Sequence, residues 1–224
     1  MSNEYSWLWH RTFHRTVPGD QTDREVALLE RFLPRGDLLD VCCGFGRHAT
    51  RLQAHGFRVV GVERDPRVAA AARREGIEVV QADVRDLAAA VPGDFDGAIS
   101  MWSSFGFFDD ATNDAILDAI AAKLRPGGRL VVDTWNRDFF EPRQGERVLE
   151  RAGRRVVETK RVVGDRMHVR LDYGEGTVDD LDFRLYRPAE LARTLDLELA
   201  CCRFDEATPP RGDEPRLQVV LAAR

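Results

Sequence analysis

The sequence predicts an α/β protein built on a mostly parallel sheet, with a C-terminal antiparallel hairpin and a small inserted antiparallel sheet. Three observations carry this. Apolar runs alternate with helix-length amphipathic stretches between residues 23 and 134, a later region changes to two-residue alternation, and the last two strand candidates are joined without a helix. Strands separated by helices of about ten residues need right-handed crossovers, which make neighbouring strands parallel and cover both faces of the sheet. The resulting architecture is Rossmann-like.

Element by element, Asp23 to Phe32 places Val26, Leu29 and Phe32 at helical spacing, and Pro34-Arg35-Gly36 ends that helix before the apolar run Leu38 to Cys43. A helix from Arg47 to His55, a strand from Arg58 to Val62, a helix from Pro66 to Arg74 and a strand from Glu78 to Gln81 continue the rhythm. Asp96 to Met101 is the next strand and Thr112 to Leu124 the next helix; Arg129 to Thr134 is a strand entered through the turn Pro126-Gly127-Gly128. Beyond Trp135, Arg147 to Val163 and Arg166 to Tyr173 alternate apolar and charged residues around Gly164-Asp165, a hairpin pattern, and Thr177 to Tyr186 alternates in the same way. Asp179, Asp180 and Asp182 are expected to face arginines on the neighbouring strands. After a short helix from Pro188 to Leu195, the strands Glu198 to Phe204 and Leu217 to Ala222 are joined by a Pro/Gly loop and should pair antiparallel. The expected divisions are an N-terminal segment 1–22, a main domain of 23–136 with 188–224, and the inserted sheet 137–187.

At 224 residues the chain is long enough for one substantial core. No apolar run approaches the roughly 20 residues of a membrane-spanning helix. Trp7, Leu8 and Trp9 are interrupted at once by His10 and Arg11, so no export signal is visible and a cytoplasmic protein is expected. The net charge of -5 argues against a dedicated nucleic-acid binder, although the stretch from Arg143 to Arg170 is arginine-rich. The four cysteines form the adjacent pairs Cys42-Cys43 and Cys201-Cys202, a spacing that suits small buried residues in a reducing compartment better than a metal knuckle. The oligomeric state, monomer or homodimer, is left open.

Gly44-Phe45-Gly46 lies between a strand and a helix, where backbone can approach a ligand closely. Gly44 to Ala49 also satisfies the Gly-x-Gly-x-x-Ala pattern of dinucleotide sites, and Glu63 at the next strand end would suit a nicotinamide dinucleotide ribose equally well. The choice rests on Asp40, Glu63 and Asp83, at or near the carboxyl ends of the first three strands, where ligands of open α/β sheets bind. Three acids around one crevice suit a cationic ligand and would repel a pyrophosphate.

With these residues in view, Leu38 to His48 resembles motif I of class I S-adenosylmethionine-dependent methyltransferases, and Val59 to Glu63 and Gln81 to Val84 resemble their second and third strand motifs. Phe95 to Ser100 and Leu124 to Leu130 are similar to the fourth and fifth. The resemblance implies S-adenosylmethionine as cofactor. It implies Asp40 near the methionine amino group, Gly44 and Gly46 under the cofactor, Glu63 on the ribose hydroxyls, and Asp83 on the adenine amino group with Val84 beside it; Cys42, Arg64 and Trp102 complete the expected cofactor contacts. Cys42 stands where many members have a glycine, and Glu63 replaces the commoner Asp.

The segment Met101 to Phe108 follows the fourth strand and resembles the acceptor-side stretch of small-molecule methyltransferases, including sugar N,N-dimethyltransferases. It implies a small acceptor beside Ser103 and Phe105, with Asn136 and Arg137 on a second edge, Arg137 either binding a carboxylate or pairing with Asp138. The aromatic N-terminus, with Tyr5 and Trp9, is expected to fold over the cofactor as a lid and touch the acceptor. Methylation at nitrogen is expected over oxygen or carbon. An amine needs only to arrive deprotonated, whereas a hydroxyl needs a base, for which His10 and His14 are the candidates. No third ligand accompanies that histidine pair, so no metal is expected. Two alternatives stay open: an RNA methyltransferase docking through the arginine-rich hairpins, and a nicotinamide-dependent oxidoreductase.

Overall fold

The computed structural model of the protein describes residues 5–13 and 16–224. In chain order its elements begin with α1 (Trp7–Thr12), α2 (Gly19–Phe32), β1 (Asp37–Val41), α3 (Arg47–Ala54), β2 (Arg58–Glu63), α4 (Pro66–Arg74) and β3 (Glu78–Gln81). Next come a 3-10 turn (Val84–Asp86), α5 (Leu87–Ala90), β4 (Phe95–Ser100), α6 (Asp110–Ala121), β5 (Leu124–Trp135) and α7 (Arg137–Phe140). The chain continues through β6 (Gly145–Arg151), β7 (Arg154–Val163), β8 (Arg166–Asp172), β9 (Val178–Arg184), α8 (Pro188–Leu191), β10 (Asp196–Cys201) and β11 (Arg216–Ala222).

Among the described residues, the main sheet has the order β10-β11-β5-β4-β1-β2-β3. Strands β1 to β5 are mutually parallel, and β11 runs antiparallel to both β5 and β10. Alternate residues serve opposite faces: Leu38 packs with Val26, Leu29, Ala49 and Leu52 beneath α2 and α3, whereas Leu39 and Val41 pack with Ile116, Leu117 and Ile120 of α6. The fold class is the one the sequence predicts.

Three local differences have physical reasons. The stretch Arg147 to Val163 is two strands, because Ala152 and Gly153 take left-handed φ of 51° and 71° and reverse the chain, so the inserted sheet has the order β6-β7-β8-β9. Helix α6 begins two residues early, at Asp110, because the Asp109 side chain accepts the Thr112 N–H at 2.9 Å. The turn Pro126-Gly127-Gly128 lies within the span of β5, whose pairing to β4 shifts register between Phe95 and Gly97.

The cross-strand arginines of the inserted sheet are matched as expected for two of the three acids. Asp180 pairs with Arg170 at 2.9 Å, and Asp182 with Arg166 and His168. Asp179 faces the other way and is buried, accepting from the Tyr173 hydroxyl at 2.8 Å and the Ser6 hydroxyl at 2.9 Å. Since Ser6 also caps α1, this carboxylate ties the N-terminal helix to the inserted sheet. The buried face of that sheet, Val156, Met167, Leu171 and Phe183, packs on Phe140 and on the rings of α1.

Gly106, after β4, joins the two sheets: its carbonyl accepts the Arg184 N–H at 2.8 Å, and a Cβ built there would lie 2.9 Å from the Arg184 carbonyl oxygen at φ +104°. Neither the backbone conformation nor the space admits a side chain. Gly106→Ala should cost about 2 kcal/mol, which in a chain of this size lowers Tm by about 4–8 °C in a thermal melt.

Candidate active site

A cavity of about 430 Å³ opens at the carboxyl ends of β1 to β4. Parallel strands present their ends and the following turns to one rim, which is why residues far apart in sequence meet there. Asp40, Cys42, Gly44, Glu63, Arg64, Asp83, Val84 and Trp102 line it, and so do Tyr5, Trp9 and His10 of the N-terminal segment. His14 lies outside the described residues.

The three acids have different surroundings. Asp40 is 2% exposed, and its Oδ2 is buried with no hydrogen-bond partner. Burial pushes its carboxyl up to about 7 despite the nearby Arg47 charge, with Glu63 adding to the rise. Glu63 is also raised by burial, but its carboxylate accepts N–H bonds from Gly44 at 3.2 Å and Asp65 at 2.8 Å, which fixes the glycine turn against β2. Asp83 is held down to about 2, first by the Arg85 side chain, which grips both of its oxygens.

Below the cavity lies a cluster that the motifs do not announce. Glu25 of α2 is fully buried and accepts from Arg47 Nη1 at 2.6 Å, His48 Nε2 at 2.7 Å, Trp102 Nε1 at 2.9 Å and Gln21 Nε2 at 2.9 Å. Burial alone would raise this carboxyl; the bonds from His48 and Trp102 and the Arg47 charge outweigh it and leave Glu25 at about 2. His48 is kept neutral by burial, and since an ionised Glu25 can only accept, the His48 proton is on Nε2. Arg47 and His48 both line the cavity.

The chain leaves β4 through two successive left-handed non-glycine residues, Trp102 at φ 58° and Ser103 at φ 57°. Asp133, fully buried on β5, holds this turn: its Oδ2 accepts the Trp102 N–H at 3.0 Å and its carbonyl accepts the Ser103 N–H at 2.9 Å. Gln218 at 2.8 Å and the Arg216 guanidinium complete the Asp133 carboxylate. The Arg47 and Arg216 guanidinium groups lie 4.8 and 5.7 Å from the centroid of the Trp102 ring.

Several expected contacts do not reach the cavity. Gly46 is needed for packing: it caps α3 at φ 77°, and a Cβ would lie 2.9 Å from the Ile77 side chain. The left-handed turn buries Ser103 to 1% exposure, and Ser104 lines the cavity in its place. Phe105 is core, 5.3 Å from the Tyr186 ring; Phe107 and Phe108 supply the wall instead. Asn136 is occupied as the cap of α7, and its amide also donates to the carbonyls of Arg211 and Glu214. Arg137 pairs with Glu141 at 2.5 Å, one helical turn on, and not with Asp138. Of the cysteines, Cys43, Cys201 and Cys202 are buried and Cys42 is half-buried at the cavity; all four are free thiols.

The sequence profile of the methyltransferase domain family matches residues 38–128, which span β1 to the start of β5. A ubiquinone biosynthesis O-methyltransferase of Xylella fastidiosa is 35% identical over 164 residues, 70% of this chain and 58% of that protein, so the chain spans less than two thirds of the curated relative's length. The sugar N-methyltransferase KedS8 of Streptoalloteichus sp. superposes with a TM-score of 0.66 at 26% identity, over 98% of this chain and 94% of that one. An S-adenosylmethionine-dependent methyltransferase of Clostridium acetobutylicum shares the fold with a TM-score of 0.76 at 14% identity, over 96% of both chains. Residues 38–128 thus carry a methyltransferase domain, and the chain shares the fold of these S-adenosylmethionine-dependent and sugar N-methyltransferases.

Proposed function

We propose that this chain transfers the methyl group of S-adenosylmethionine to a small-molecule acceptor. The observation that carries the reading is Asp40: a carboxylate with an unmatched buried oxygen at the floor of a cavity is a poor structural element and a good seat for an ammonium. The cofactor, when bound, supplies a carbon already activated by its sulfonium. Asp40 would hold its amino group, Glu63 its ribose hydroxyls, and Asp83 its adenine amino group beside Val84. Positioning and exclusion of water are the remaining tasks. Tyr5 and Trp9, stacked at 3.8 Å, Phe107 at 5.6 Å from Tyr5, and Phe108 supply an apolar wall for both, which supports the reading of 1–22 as a lid.

Nitrogen is the preferred acceptor atom, because the likeness to a sugar N-methyltransferase extends over nearly the whole chain. An oxygen acceptor is favoured by a different observation: His10 lines the cavity, where burial lowers its pKa and favours the neutral imidazole that a general base requires. An RNA acceptor is disfavoured by the inserted sheet, where Arg147, Arg166 and Arg170 are already matched to Glu158, Asp182 and Asp180. No described helix is long and apolar enough to cross a membrane, and the reading assigns the activity to the cytoplasm.

In a thermal-shift series, S-adenosylmethionine or S-adenosylhomocysteine at a hundredfold excess over Kd should add about 2.7 kcal/mol, or about 5–10 °C, while NAD should add nothing; absence of a shift with both sulfur ligands would overturn the reading.

The Asp40 carboxyl, raised to about 7 in the free protein, must ionise to pair with an ammonium. Binding therefore releases a proton below that pH, and titration calorimetry should find Kd for S-adenosylhomocysteine rising by up to about tenfold per pH unit below 7 and flat just above it. Asp40→Asn should abolish this dependence and weaken binding about 10- to 100-fold.

The same shift has the opposite effect on stability. Ionisation of Asp40 costs more in the folded than in the unfolded chain, so its penalty grows as pH rises from 3.8 to about 7 and is full above. Unliganded Asp40→Asn should therefore melt higher than the parent at pH 8, by about 2–4 °C per kcal/mol relieved, and lose that advantage at pH 4.

A further inference from the structure

We propose that Asp179 of β9 is the latch of the N-terminal segment: by holding Ser6 it keeps α1 against the cavity, and so sets how long a bound ligand stays. This rests on the reading that the cavity holds S-adenosylmethionine, and places the control of its residence on the inserted sheet, away from the edge of the main one.

Helix α1 has only six residues, too few to be stable by itself. Its N-cap is Ser6, whose hydroxyl oxygen accepts the Trp9 N–H at 3.2 Å. A hydroxyl has one proton to give, and Ser6 gives it to Asp179 Oδ2 at 2.9 Å, while its backbone N–H donates to Oδ1 at 3.3 Å. One placement of this side chain thus caps the helix and meets the carboxylate, so α1 forms and docks as one event. The rings follow the same path: Tyr5 lies 5.6 Å from Phe107, and Phe107 lies 4.5 Å from Phe183 of β9. Tyr5, Trp9 and His10 all line the cavity, so releasing Ser6 withdraws three side chains from its wall at once.

An acid is an unusual choice at this position. Asp179 shares the buried face of β9 with Leu181 and Phe183 and is 5% exposed. Among the described residues it is matched with no cation; its hydrogen bonds come from Ser6 and from the Tyr173 hydroxyl at 2.8 Å. A buried carboxylate served mainly by one short helix is a poor way to hold a core together and a good way to hold a part that comes away. With α1 docked, the bonds to a charged acceptor are strong; with α1 withdrawn, the carboxylate meets water and is hydrated, which keeps the open state within reach.

The first measurement is limited trypsin digestion of the unliganded protein, read at Arg11, which is exposed on α1. Cleavage of a locally opened segment follows its open population. Asp179→Asn, which leaves the Ser6 cap in place, should speed cleavage after Arg11 about 10- to 100-fold. Ser6→Asp, an equally good cap that sets a like charge against Asp179, should speed it by at least about tenfold, whereas a purely capping role for Ser6 predicts no change. The second measurement is stopped-flow dissociation of S-adenosylhomocysteine, which should quicken by about tenfold or more in both variants while association does not slow, as a gate requires. Unchanged cleavage after Arg11, or cleavage that is faster at every site alike, overturns the latch. Faster cleavage after Arg11 with unchanged dissociation overturns the control of residence and leaves the cofactor reading intact. Should S-adenosylhomocysteine not bind the parent, the cofactor reading fails, and digestion still decides the latch. Ser6 lies outside the inserted sheet, so Ser6→Asp decides the question if Asp179→Asn does not fold.

Discussion

The geometry of the cavity depends on how the chain is made to leave β4. Two consecutive left-handed non-glycine residues cost of the order of 1–3 kcal/mol each, and Trp102 and Ser103 adopt that state because Asp133 holds both of their N–H groups, one through its carboxylate and one through its carbonyl. Asp133 in turn is fixed by Gln218 and Arg216 from β11. The antiparallel strand that closes the sheet is thus a structural requirement of the site: without its two side chains the Asp133 carboxylate would be a buried anion short of partners, and the turn it holds would relax.

The remaining charges are arranged unequally. Glu25, Asp133 and Asp83 are each matched by an arginine, whereas Asp40, at the same sheet edge, keeps an oxygen unmatched. A protein selected for stability alone would fill that position with an apolar or neutral residue. The unmatched oxygen costs stability at the cavity, while the neighbouring acids Glu25, Asp83 and Asp133 are each balanced by an arginine.

Much of this was legible in the chain. Asp40, Glu63 and Asp83 could be read because parallel topology sends every strand end to one rim, so their positions followed from the elements alone. Ser103, Phe105, Asn136 and Arg137 are expected as acceptor contacts from their place after β4 and β5, and the structure turns each elsewhere: the left-handed turn at 102–103 buries Ser103, Phe105 packs in the core, and Asn136 and Arg137 are consumed by capping and pairing within α7. Glu25 was overlooked although it left a trace. It shares a helical face with Leu28 and Leu29, and an acid on an apolar face is either an error of periodicity or a buried ion pair. Its partners at 47, 48 and 102 carry no fixed spacing to it, which is why no motif could reveal them.

The inserted sheet belongs to the same physical system as the cavity floor. From Arg47 the contacts run to the Trp102 ring at 4.8 Å, from that ring to Arg216 at 5.7 Å, from Arg216 to the Trp135 ring at 5.0 Å, and from that ring to Lys160 of β7 at 5.2 Å. Each cation has its own acid: Glu25 for Arg47, Asp133 for Arg216, and Glu158 for Lys160 at 3.0 Å. Each of the two rings thus meets two positive groups, and each such contact adds about 0.5–2 kcal/mol. Because β11 places Arg216 directly opposite Trp135 in register, the column is built into the sheet itself and does not rely on loop conformation. The small sheet is therefore joined to the cavity floor by direct side-chain contacts through β11.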